Sequence, residues 1–173
     1  MGVPGFFLWF LKKYKNKKFV LNKGELSTEI TDSLLIDANC LLHPQCFKVL
    51  AENPHLEDTK ELERKMLNGC IDYLTYIIDY VDPQKEIYIA IDGVAPTAKV
   101  KQQRQRRYKS INDKQLFDKI KKKHNKEITT YWNNSAITPG TEFMKLLTNK
   151  IIDFCKKSKY KTKIYFSTAN TPS

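Results

Sequence analysis

The chain has 173 residues, 41% of them hydrophobic, so it can bury a core as one domain or part of one. Thirty basic residues against 19 acidic ones give a formal net charge of +11, which favours a polyanionic partner such as nucleic acid. No apolar run is long enough to span a membrane, and the four cysteines lack zinc-ligand spacing. We therefore expect a protein without a membrane segment, in the reducing cytoplasm or nucleus, with its cysteines buried as small apolar residues.

The predicted elements alternate between helices and strands. Acidic residues early in 56–80, followed by apolar residues at helical spacing, indicate a long amphipathic helix there. A turn at Pro139 and Gly140, with Thr138 as the expected cap, begins a later helix. In chain order, the predictions are a helix at 6–14, a strand at 34–37, helix 56–80, a strand at 87–91, helices at 98–108 and 113–126, a helix at 141–157 and a strand at 161–167.

Strands that alternate with helices predict an α/β fold, with a parallel sheet and helices on both faces. Two of the strands end in a carboxylate, Asp37 and Asp92. Because ligands bind beyond the carboxyl ends of parallel strands, the two side chains could converge in one crevice. Such a pair suits Mg²⁺, or Mn²⁺ in its place, although an aspartate at a strand end more often only caps a turn.

A basic segment follows Asp92. If it is helical, Lys99, Gln103, Arg106 and Arg107 share one side, which we call the basic face. Arginine suits two-pronged contacts with phosphate, and lysine adds a point charge. The lysines at 119 and 121–123 are a solvated helix surface or an extension of a nucleic-acid track. The basic face next to a strand-end carboxylate indicates metal-assisted chemistry on a nucleic-acid phosphate.

Four blocks of the sequence resemble the N-terminal catalytic region of the Xrn family of 5′→3′ exoribonucleases. In chain order they are MGVPGFFLWF at 1–10, LLIDANCLLHP at 34–44, IYIAIDGVAPTAKVKQQRQRRY at 87–108 and NSAITPGTEFM at 134–144. The resemblance implies a 5′-nuclease, or PIN-like, fold in which residues 1–173 form a single, partial Xrn N-terminal nuclease domain, incomplete at its C-terminus.

The resemblance also assigns roles to individual residues. It makes Asp37 and Asp92 metal ligands and catalytic residues, and it makes the basic face the pocket for the 5′-monophosphate of the substrate. It further implies that His43 stacks on the first base and that Asn39 supports the metal block. Without the resemblance, His43 would be read as an ordinary polar residue in the first turn of a helix.

The implied activity is hydrolysis of 5′-monophosphorylated single-stranded RNA to mononucleotides with two Mg²⁺ ions. Members of the family carry a Gly-Glu-Gly-Glu block with two further metal ligands, where this chain reads IYFSTANTPS at 164–173. We therefore expect catalysis to need residues beyond Ser173. Two alternatives stay open: a non-catalytic module that binds RNA 5′ ends, and a structure-specific DNA nuclease of the flap-endonuclease type.

Overall fold

A computed structural model describes residues 3–14, 30–93, 95–125, 132 and 134–168. The chain divides into two compact units, Met1–Ile30 and Thr31–Ser173. In the first unit, helix α1 (Phe6–Lys13) follows Gly5, whose φ of 73° is a left-handed conformation that glycine adopts without steric cost. Helix α1 confirms the prediction for 6–14 to within a residue.

The second unit contains a parallel sheet of three strands. They are β1 (Ser33–Asp37), β2 (Glu86–Ala90) and β3 (Lys163–Ser167), in the spatial order β1-β2-β3. The helices are α2 (Ala38–Glu52), α3 (Thr59–Val81), α4 (Thr97–Lys123) and α5 (Glu142–Lys157), with a 3₁₀ turn at Asn134–Ala136. The predicted α/β class with a parallel sheet is confirmed, and all three predicted strands are present.

One face of the sheet forms the core. Register pairs Ile36 with Ile89 and Ile89 with Phe166, so these side chains lie on the same side of the sheet. Buried residues of α2, α3 and α5, among them Leu42 and Leu74, pack with them into a single cluster. This arrangement fixes the register of β1 against β2, because a shift by one residue would move the isoleucines to the opposite face.

The opposite face is open within the described part of the chain. Leu35, Tyr88 and Tyr165 are paired in register there and are 72%, 41% and 37% exposed. The two tyrosine rings stack with their centroids 6.3 Å apart, and the Lys163 ammonium lies 4.8 Å from the Tyr165 ring centroid. The helices that pack on the sheet in this part of the chain therefore join the core on the isoleucine face.

Helix α2 was not among the predicted elements. Pro44 lies inside it, and a proline in a sequence usually indicates that a helix ends. Tertiary packing overrides that signal, because Ala38, Leu42 and Cys46 recur every four residues and are almost completely buried against α3. The Cys46 and Cys70 sulfurs are 3.8 Å apart across this contact.

Three further predictions are refined. The two helices predicted at 98–108 and 113–126 are one continuous helix, α4, and residue 126 lies outside the described residues. The cap of α5 is Thr141 rather than Thr138: the Thr141 hydroxyl accepts a hydrogen bond from the Met144 amide. Cysteine burial holds for Cys46 and Cys70, but Cys155 is half-buried and the expectation is wrong for Cys40, which is exposed.

Helix α3 supplies a test of the fold. The Asp58 carboxylate accepts hydrogen bonds from the amides of Lys60, at 2.9 Å, and Glu61, at 3.2 Å, and so caps the helix. We expect Asp58→Ala to lower the free energy of unfolding by about 1 kcal/mol, measured by urea denaturation. Asp72→Ala on the exposed side of the same helix should change it by less than about 0.5 kcal/mol. Equal losses in the two variants would contradict the capping role.

Candidate functional site

The carboxyl ends of β1 and β2 carry the predicted carboxylates. Asp37 is the last residue of β1 and pairs with Ala90, so Asp92 lies two residues past the matching point of β2. Both side chains are exposed. Asp37 also occupies the N-cap position of α2, yet its carboxylate makes no capping hydrogen bond. Its oxygens are therefore not committed to the backbone of the helix.

Cys40 lies beside both carboxylates. Its thiol donates to Asp37 Oδ2 at a sulfur–oxygen distance of 3.6 Å. The charge of Asp37, the hydrogen bond to it, partial desolvation and the charge of Asp92 together raise the pKa of the Cys40 thiol. Because Asp37 pairs with Ala90 and the Asp92 amide donates to the Asn39 side chain in the first turn of α2, the structure brings Asp37 and Asp92 to the same end of the sheet, as the sequence predicted.

Asn39 and His43 complete this group, which we call the strand-end cluster: Asp37, Asn39, Cys40, His43 and Asp92. Asn39 Oδ1 accepts a hydrogen bond from the Asp92 amide at 3.4 Å, which ties the first turn of α2 to the loop after β2. His43 is half-buried, and burial lowers the pKa of its imidazole while the nearby charge of Asp92 acts in the opposite direction. The half-buried imidazole ring presents a flat face of the kind that stacks on bases.

A hollow of about 240 Å³ lies next to Asp37 and Cys40. Its other walls come from α2 and α3, through Pro44 and Tyr73. Cys40 and Tyr73 were not predicted as site residues. For Cys40 a signal existed, since a residue three positions after Asp37 on a helix lies on the same side of it. Tyr73 gave no such signal, because its place depends on how α3 crosses α2.

The basic face is present on α4. Since α4 is one unbroken helix over Thr97–Lys123, Lys99, Gln103, Arg106 and Arg107 share one side of it, as predicted. Gln103 and Arg107 line a second hollow of about 230 Å³, together with Pro139 of the loop that precedes α5. Water occupies about 30 Å³ per molecule in the liquid, so this hollow has room for a phosphate group.

Four residues, 93–96, separate Asp92 from α4. The strand-end cluster and the basic face are thus neighbours along the chain, and each is assembled by a different mechanism. Sheet register assembles the carboxylates, whereas helical periodicity alone assembles the basic face. Lys99 is half-buried, and Arg106 and Arg107 are exposed.

The donor set fits one hard cation. Mg²⁺ is usually held by one or two carboxylates, and it keeps several waters and binds substrate phosphates at its other positions. Asp37 and Asp92 supply that number. No group of three or more His, Cys, Asp or Glu side chains that could hold a metal occurs among the described residues. A second ion would therefore need ligands other than those that this part of the chain supplies.

No helix of the described residues has the length and apolar character needed to cross a membrane. The parallel α/β sheet with paired carboxylates beyond its strand ends defines a fold of the 5′-nuclease, PIN-like class. The family described as XRN 5′-3′ exonuclease N-terminus matches residues 1–172. The chain belongs to this family.

Two similar proteins illustrate the relationship. The 5′-3′ exoribonuclease 1 of Homo sapiens is 34% identical over an aligned length of 182 residues. The alignment covers 99% of this chain and 10% of the human protein. The 5′-3′ exoribonuclease 2 of Eremothecium gossypii is 31% identical over 173 residues, which cover 83% of this chain and 18% of that protein. The chain thus spans less than a fifth of the length of these relatives.

The reactivity of Cys40 tests the geometry of the strand-end cluster. Because carboxylate charge raises the pKa of the thiol, its reactive thiolate forms only at higher pH. Asp37→Asn removes the larger influence, so the pH dependence of alkylation by iodoacetamide should move to lower pH. Mass spectrometry of the Cys40 peptide measures the rate and separates it from the other three cysteines.

Two further variants serve as controls for this experiment. Asp92→Asn should move the curve in the same direction by less, because Asp92 is the smallest of the influences on the thiol. Asp72→Asn, on the exposed side of α3, should leave it in place. If the curve for Asp37→Asn coincides with that of the unchanged protein, the arrangement around Cys40 is wrong.

Proposed function

We propose that residues 1–173 are one partial nuclease domain of a 5′→3′ exoribonuclease, which hydrolyses 5′-monophosphorylated single-stranded RNA to mononucleotides. One observation carries the proposal: in a chain of the XRN family, two exposed carboxylates lie beyond the ends of adjacent parallel strands, and a helix with a basic face follows within a few residues. This combination places a site for cutting a phosphodiester close to a site for holding a terminal phosphate.

The basic face selects the 5′ end. Arg106 and Arg107 can donate paired N–H groups to a phosphate, Lys99 adds a point charge, and Gln103 adds neutral donors. A terminal monophosphate carries more negative charge than an internal phosphodiester and offers more free oxygens. This pocket therefore discriminates by charge and hydrogen bonding, and base sequence has no influence on it.

His43 and Asn39 orient the substrate and the metal block in this proposal. The half-buried imidazole of His43 lies near Asp92, where it could stack on the first base while the phosphodiester on its 3′ side lies at the carboxylates. Asn39 holds the backbone at Asp92 and so limits the movement of that carboxylate. Stacking accepts any base, which suits an enzyme that advances one nucleotide at a time.

Asp37 and Asp92 would hold Mg²⁺, or Mn²⁺, in the proposed enzyme. When bound, such an ion polarises a phosphoryl oxygen and lowers the pKa of a coordinated water. The two-ion centre of the proposed mechanism needs additional carboxylates, which we infer to come from further polypeptide in a full-length enzyme. An RNA substrate and four free cysteines fit a cytoplasmic or nuclear location.

Removal of one arginine tests the 5′-phosphate pocket. Arg106→Ala should weaken binding of a 5′-monophosphorylated 12-nucleotide RNA by roughly tenfold or more, because a charge-assisted contact with phosphate is lost. It should leave binding of the same RNA with a 5′-hydroxyl almost unchanged. Fluorescence anisotropy on 3′-labelled RNA measures both.

Lys101→Ala is the matched control, since Lys101 lies about 160° around the helix from Gln103. It should weaken both RNAs equally and only slightly. A loss of binding in Arg106→Ala that does not depend on the 5′-phosphate would show that the arginine contributes only general charge.

Removal of one carboxylate tests the chemistry. In a longer polypeptide that contains residues 1–173 and supplies the additional carboxylates, Asp92→Asn should slow Mg²⁺-dependent release of mononucleotides by more than about 100-fold and leave 5′-phosphate binding in place. Loss of an outer-shell partner of a metal costs only roughly 10- to 100-fold. Asp72→Asn makes the same change of charge on α3 and should retain the starting rate. Thin-layer chromatography of radiolabelled RNA follows the release.

The same assay separates the alternatives. Tight binding of 5′-phosphorylated RNA with no release by that longer polypeptide, without substitutions, would identify a module that binds 5′ ends. This second candidate is favoured by the absence, among the described residues, of any group of three or more His, Cys, Asp or Glu side chains that could hold a metal. Faster cleavage of a flapped DNA than of RNA would instead identify a nuclease of the flap-endonuclease type.

A further inference from the structure

Helix α4 carries most of the net positive charge of the protein. Its 27 residues include eleven basic and two acidic side chains, so it contributes nine of the eleven net positive charges. No residue of α4 is buried. Among the described residues, none of the ion pairs involves a side chain of this helix. Such an exposed and unneutralised helix attracts a polyanion over its whole length.

The basic face accounts for only the first half of this helix. In the second half, Lys114, Phe117 and Lys121 lie 15, 18 and 22 positions after Lys99. At 3.6 residues per turn they fall within about 60° of Lys99, so they continue the same side of the helix, on which Asp113 also lies. We call these three residues the distal row. Phe117 is 64% exposed, which leaves its ring free to stack.

We propose that the distal row is a second nucleic-acid site, at which Lys114 and Lys121 contact backbone phosphates and Phe117 stacks on a base. The proposal rests on the function proposed above, because it assumes an RNA substrate. An exposed aromatic between lysines combines the two elements of single-strand binding, which are charge along the backbone and a platform for bases.

The distal row is a separate site from the 5′-phosphate pocket. Lys121 lies fourteen residues beyond Arg107, or about 21 Å along the helix axis. An RNA held by its 5′ end at the basic face runs towards Asp92, which precedes the start of α4, and therefore away from the distal row. The row must then contact a downstream stretch of the RNA that folds back, or a second strand, and its binding is independent of the 5′ end.

Binding of a 20-nucleotide RNA, with either a 5′-phosphate or a 5′-hydroxyl, tests this site over a range of salt concentrations. Lys114→Gln combined with Lys121→Gln should reduce the slope of log affinity against log salt by about 1.4, since each single-strand phosphate contact contributes about 0.7. Both RNAs should lose affinity by the same factor, because the 5′-phosphate pocket is intact.

Phe117→Leu should weaken both RNAs by about fivefold or more without changing the salt slope, since it removes only a stacking surface. The matched control combines Lys119→Gln with Lys123→Gln. It makes the same change of charge on the opposite side of the same helix, and it should change the slope by less than half as much. Circular dichroism at 222 nm should show unchanged helix content in all variants.

The results of these binding experiments decide whether the distal row is an RNA-binding site. Equal slopes for the two double variants would overturn the distal row, because general charge would then explain the binding. Unchanged RNA binding in the distal-row variants would also overturn it and would point to an acidic protein surface as the partner. If the unchanged protein does not distinguish the two RNAs but the distal-row slope falls as expected, the 5′-phosphate pocket fails and the distal row stands.

Discussion

The parallel register of β1 and β2 is the constraint on which the rest of the structure depends. Burial of Ile36, Ile87 and Ile89 on one face of the sheet fixes the register of the two strands, since a shift by one residue would expose all three. With this register, Asp37 and Asp92 both lie at the carboxyl-terminal end of the sheet. Both carboxylate charges raise the pKa of the Cys40 thiol, Asp37 more than Asp92, so negative charge is concentrated at this edge. A bound cation would neutralise this negative charge.

Helix α4 is stabilised differently from helices α2, α3 and α5. Helices α2, α3 and α5 are stabilised by an apolar side that packs into the core, whereas α4 buries no residue at all. Lysine, arginine and glutamine are good helix formers, and they dominate its sequence. A helix maintained by local propensity can present charge on every side. This freedom makes α4 suitable for holding nucleic acid at more than one point.

Much of the fold could be predicted from local pattern, and the failures have identifiable causes. The strands and α3 were found because apolar periodicity reports burial directly. The sequence does not predict helix α2: it contains Pro44, and its apolar spacing is recognisable as a buried face only when α3 packs against it. By residue type, Thr138 and Thr141 are equally suitable caps. In the structure, Thr141 is the cap because its hydroxyl accepts a hydrogen bond from the Met144 amide. Among the site residues, Cys40 was taken for a core residue, although its place after Asp37 puts it in the strand-end cluster.

The sequence by itself determined the basic face of α4, because the periodicity of a single helix brings Lys99, Gln103, Arg106 and Arg107 together without any tertiary contact. It also determined the family, through four motifs between residues 1 and 144, and the family matches residues 1–172. Tertiary structure decided everything that joins distant segments: the meeting of Asp37 with Asp92, the bond from the Asp92 amide to Asn39 and the wall that Tyr73 forms beside Asp37. These contacts link residues as many as 55 positions apart. Strand register and the packing of α2 and α3 on the sheet fix such distances, because they depend on contacts between segments that are far apart in the sequence.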